Sequence, residues 1–94
     1  MSEKRLETAR ARGAEWGRHA ASILIPLVGA DGSLEVFRGG LQDVRCEADA
    51  LASELAAREG QAVAVIWREA AIAALRAELV AFDALAEEAT VSVH

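Results

Sequence analysis

The chain carries a single cysteine, a single proline and only four aromatic residues in 94. Each scarcity excludes something. A lone thiol, Cys46, rules out an intrachain disulfide and fits a reducing compartment. Trp16, Phe37, Trp67 and Phe82 are the only large aromatic anchors, and much of the 53% apolar fraction is alanine, so leucine, isoleucine and valine must supply the core. For a mass of 9.9 kDa, area scaling gives roughly 14,000 Å² exposed when unfolded and about 5,200 Å² when folded. Burial of about 64% is thin. It predicts a chain that gains stability by pairing with itself, a homodimer being the simplest form.

Long hydrophobic runs are missing too. The opening MSEKRLETARARGAEWGRH is charged throughout. The apolar run from Ala20 to Ala30 is 11 residues long, includes Ser22 and Pro26, and falls short of the ~20 that span a bilayer. It also lacks a clean cleavage signal. The expectation is a soluble, cytoplasmic chain with no membrane partner. No repeat, linker or low-complexity tract divides it, so one domain is expected over residues 1–94.

Catalytic and metal motifs are equally scarce. Glu15 and His19 stand four apart on the first segment, but a zincin needs H-E-x-x-H, and a surface ion pair explains this spacing. His94 ends the sequence, where chains fray. Cys46 has no histidine near it and reads as a small hydrophobe. Gly29-x-x-Gly32 and Gly39-Gly40 lack the Lys-Ser/Thr or the third glycine of a phosphate loop and read as turn glycines. Neither a cofactor nor a metal is expected, and no residue is assigned a catalytic role.

What is present is an uneven charge. The net value is −5, yet Lys4, Arg5, Arg10, Arg12 and Arg18 outnumber Glu3, Glu7 and Glu15 in the first 20 residues. A basic arm therefore precedes an acidic body, and such a body repels nucleic acid.

Periodicity suggests six elements. Leu6, Ala9, Gly13, Trp16 and Ala20 recur at 3-4-3-4 spacing and predict a basic helix over 1–21. Its two glycines lower helix propensity, so it must dock to be stable. Ile23–Val28 and Leu34–Arg38, either side of Ala30-Asp31-Gly32, predict a β-hairpin. Pro26 places the first of these strands at a sheet edge, with apolar residues on both faces that need a cover. Leu41, Val44, Ala48, Leu51 and Leu55 predict a helix capped at Gly60, with the stretch 41–46 open between helix, strand and loop. Residues 61–67, QAVAVIW, alternate like a third strand. Ile72, Leu75, Leu79 and Phe82 form a heptad-like stripe on a final helix over 68–90.

The expected architecture is α/β (α+β) in the order α-β-β-α-β-α. A three-stranded sheet, made of the hairpin and the strand after a helix, lies in a ββαβ core over 22–67 and is packed with helices. The stripe, with Trp67, is the candidate for self-association.

The functional expectation is a small acidic protein–protein interaction module that is not an enzyme. Its general profile is similar to that of phage and mobile-element accessory proteins, anti-CRISPR proteins among them. That likeness implies an inhibitor that presents carboxylates to basic surfaces of nucleic-acid-handling machinery. The candidates are Asp43, Glu47, Glu54, Glu78, Glu87 and Glu88, meeting a partner with a basic surface. The first alternative is a nucleic-acid-binding module using Lys4, Arg5, Arg12 and Arg18. It is disfavoured by the acidic body and by Trp16 being the only aromatic able to stack on a base from the arm. The second is a small enzyme whose site forms at a dimer interface from Cys46, His19 or His94.

Overall fold

The computed structural model describes the backbone of residues 3–31 and 34–92, and the side chains of 3–26 and 38–82. It consists of three helices, α1 (Glu3–Asp31), α2 (Leu34–Glu59) and α3 (Gln61–Ser92). Among the described residues there is no strand. The α/β architecture and its ββαβ core are therefore overturned, and the fold is a three-helix bundle.

The expected first strand is the continuation of α1. In a strand Ile23 and Ile25 would share one face against Leu24. Here Ile23 is 56% exposed and Leu24 is 1% exposed, while Ile25 packs partly buried beside it. That is helical register, carrying on the face begun by Ala9, Gly13 and Ala20. Pro26 lies inside α1 with an exposed side chain. It has no N–H to give the Ser22 carbonyl. One turn earlier the Ser22 hydroxyl donates to the His19 carbonyl at 2.6 Å. Leu34–Arg38, expected as the second strand, opens α2. Ala30 and Asp31 of the expected turn are the last residues of α1, and Gly32 lies outside the described residues.

The third expected strand is the first two turns of α3. Alternation would bury Val63, Val65 and Trp67 together, but Val65 is 41% exposed while Val63 and Ala64 are each 3% and Trp67 is 8%. Burial then recurs at Ala71 and Leu75, with Glu69 and Ala73 exposed between them, where a strand would bury them too.

Gly60 alone joins α2 to α3. Its φ is +101°, a region natural to glycine. Its N–H donates to the Ala56 carbonyl at 3.0 Å, and its own carbonyl accepts from the Ala64 N–H at 3.3 Å. One residue thus closes α2 with a left-handed cap and starts α3. The expected cap at Gly60 is present, and residues 41–46 are helical.

α1 and α3 run parallel, with α2 antiparallel to both. Gly13 sits against the Trp67 carbonyl and Ala70, and Gly17 against the Ala71 carbonyl and Ala74. Asp49 on α2 pairs with Arg68 on α3 at 2.6 Å, and Arg5 on α1 with Glu59 on α2 at 3.5 Å. Absent side chains at Gly13 and Gly17 let the two backbones approach closely, so their helix-propensity cost is offset by packing, as docking requires. Trp16 and Trp67 meet with ring centroids 5.5 Å apart and planes tilted by 53°, a favourable aromatic geometry worth about 0.5–1.5 kcal/mol.

The core is built mostly from alanine. Ala9, Ala48, Ala52 and Ala71 surround Val63 and Trp67 in one cluster. Ala20 and Ala21 join Leu24 and Leu75 in a second. Small side chains give a shallow core, and the molecule measures 55 × 24 × 13 Å. It exposes 6471 Å², about a quarter more than a compact chain of this mass.

Candidate functional site

α1 and α3 share the most extensive interface, and α1 and α2 the narrowest. α2 therefore leans on α3 and stands away from α1, and a cleft of about 540 Å³ opens between α1 and α2. Val63 and Trp67 of α3 form its floor, with Ala9 of α1 beside them. Leu51 and Leu55 of α2 line the second wall. Lys4, Arg5 and Arg12 rise from α1, and Arg58 with Glu59 from the last turn of α2.

Arg5 is held by Glu59. Among the described residues, no ion pair engages Lys4, Arg12 or Arg58. Three cations with no carboxylate partner among the described residues thus surround an apolar floor, in a chain whose net charge is −5. An anion placed among them would have no opposing wall charge except Glu59.

Of the basic residues expected to act together, the structure gathers Lys4, Arg5 and Arg12 and leaves Arg18 out. Arg18 is exposed and lies about 120° round the helix from Arg12. Arg58, with Leu51 and Leu55 on the same wall, is not legible as a partner of the arm, because a sheet placed between the arm and the second helix separates them. The cue lies between α1 and α2: two long helices joined by a short link run antiparallel, which brings the last turn of α2 back to the start of α1.

The acidic candidates separate into groups. Asp43, Glu47 and Glu54 are exposed on α2 and fall within about 40° of one another over roughly 16 Å of helix. Among the described residues none of the three is in an ion pair. Glu78 is half-buried on α3. Glu87 and Glu88 lie outside the described side chains.

The self-association stripe is occupied within the chain. Trp67 and Leu75 are buried in the two core clusters, with Ile72 packed on the first and Leu79 on the second. Phe82 is half-buried.

Cys46 is exposed on the other side of α2, where Gln42 Nε2 donates to its sulfur at 4.0 Å. Its neighbours in a shallow depression include Arg45, Asp49, Arg68 and Arg76, and His19 is not among them. Glu15 and His19 are both exposed and form no ion pair with each other. His94 lies outside the described residues. Among the described residues no three His, Cys, Asp or Glu side chains converge as a metal site. No helix among them is long and apolar enough to cross a membrane. Comparison with family models, with curated proteins and with solved structures finds no match to this chain.

Proposed function

We propose that this chain is a non-catalytic protein-interaction module whose acidic flank on α2 holds a partner with a basic surface. The observation that supports it is the row formed by Asp43, Glu47 and Glu54, exposed together on one flank without cationic partners among the described residues. Neighbouring like charges repel one another, and a cationic partner relieves that repulsion while fixing its own register along the row. A basic groove of a nucleic-acid-handling protein is a partner of this kind. The thin bundle leaves surface in excess of what a compact chain exposes, which suits a protein that works by contact. The cytoplasm is the proposed compartment, where the exposed Cys46 thiol stays reduced.

A nitrogen-15 NMR titration with an oligo-arginine peptide tests the reading. Amide shifts should concentrate along Asp43, Glu47 and Glu54, weaken with added salt, and fall by about tenfold in affinity when all three become lysine. Shifts spread evenly over every acidic residue, including Glu3, Glu7 and Glu15 of α1, would overturn it.

A further inference from the structure

A second surface, of opposite sign, is built by all three helices. We propose that the cleft between α1 and α2 is a docking site for a short acidic, amphipathic helix of a partner protein. The inference stands apart from the acidic flank, since it concerns other residues and a ligand of the other charge.

The shape comes first. The cleft is a groove open to solvent between two antiparallel helices, floored by a third. A helix laid there completes a fourth member of the bundle, with its apolar face on the half-buried Leu51 and Leu55. Such a guest covers what these two leucines leave exposed on the α2 wall, and the apolar area it removes from water adds to the affinity.

The charge selects the guest. Lys4 and Arg12 are eight residues apart on α1, about 12 Å along the axis, and Arg58 faces them from α2. Carboxylates two turns apart on a guest helix, about 11 Å, match this span. Each would meet a cation that has no ion-pair partner among the described residues. Arg–carboxylate contacts are the stronger kind, because the guanidinium fork can hold both oxygens.

The same surroundings disfavour a nucleic-acid strand. Base stacking needs an open aromatic face, and Trp67 is only 8% exposed, with Trp16 packed against it. A strand longer than the cleft would also run on toward the carboxylates of α2, where Glu54 is one turn from Arg58. A compact acid is accepted where a long polyanion is repelled.

The experiment measures fluorescence anisotropy of a labelled peptide of about twelve residues, roughly 18 Å as a helix. Leucine forms one face and glutamate flanks it. Saturable binding to the full chain is expected, weakened about tenfold or more by Arg12→Glu with Arg58→Glu. Both side chains are exposed, so the thermal midpoint of this variant should match the parent. If it does not, Arg12→Gln with Arg58→Gln gives the same readout with less perturbation. A peptide with lysine for glutamate, and one with serine for leucine, should each bind at least about tenfold more weakly. Absence of saturable binding, or equal binding of the serine peptide, overturns the proposal. So does binding that ignores both arginine pairs. Tighter binding of a short oligothymidylate, lost in the same variants, would assign the cleft to nucleic acid instead.

Discussion

A methyl group added at Gly13 would run into the Trp67 carbonyl, and one at Gly17 into the Ala71 carbonyl. Neither obstacle is a flexible side chain that can swing away, so the two helices must part. At Gly39, also helical, an added Cβ meets nothing within 4 Å. The same substitution should therefore have opposite signs at the two kinds of site. Gly13→Ala or Gly17→Ala is expected to lose about 1–3 kcal/mol through overpacking, beyond the small gain in helix propensity. Gly39→Ala should gain about 0.5–1 kcal/mol, since alanine restricts the unfolded chain and costs the helix nothing in contacts. Urea unfolding followed by circular dichroism measures both. A stabilising Gly13→Ala would show that α1 and α3 do not approach as described.

At the scale of elements, α1 turns on Pro26. Proline within a helix forfeits a hydrogen bond and crowds the preceding turn, a cost near 3 kcal/mol against alanine. Its exposed side chain contributes little packing, so Pro26→Ala should raise the helical dichroism signal and add about 1–3 kcal/mol of stability. Were 23–28 a strand, the helical signal would not increase. Pro26 is also where the sequence misled. A short apolar run holding a proline, with Asp-Gly beyond it, has every local mark of an edge strand and turn, and periodicity cannot separate such a run from buried helix. What decides is continuity: Ala9, Gly13, Ala20 and Leu24 keep one face across the supposed boundary. At 61–67 the alternation of valine with alanine was equally ambiguous, because alanine is apolar enough to be buried on one face and small enough to be exposed on the other. Legible without the structure were the start of α1 and its glycine-bearing face, the helix ending at Gly60, and the stripe from Ile72 to Phe82. Half of the candidate cleft was legible as Lys4, Arg5 and Arg12. The other half depended on which element returns to meet them, which is topology and not local pattern.

At the scale of the whole molecule, most of that stripe packs inside one chain. The sequence predicts a homodimer from thin burial, with a sheet apolar on both faces and the stripe on the last helix as its candidate seam. No sheet exists among the described residues, and Trp67 and Leu75 are 8% and 3% exposed inside one chain. A partner chain can reach them only if α3 leaves its own bundle, which the single-residue link at Gly60 would have to permit by straightening into a continuous helix. That is domain exchange, and it would sacrifice the Gly60 cap and the close α1–α3 contact unless the second chain restored both. Among the described residues the charged surfaces are of opposite sign, basic at the cleft and acidic on the α2 flank, so contacts between copies made through them decline with salt. Light scattering coupled to size exclusion should therefore give the mass of one chain, 9.9 kDa, at moderate salt, with any larger species confined to low salt. A dimer of constant mass at every salt concentration would mean that α3 is exchanged. Gly60→Ala would then strengthen that dimer, because alanine disfavours the positive φ of the turn and favours the uninterrupted helix. In a chain that folds alone, the same change costs about 1 kcal/mol of stability and leaves the mass unchanged.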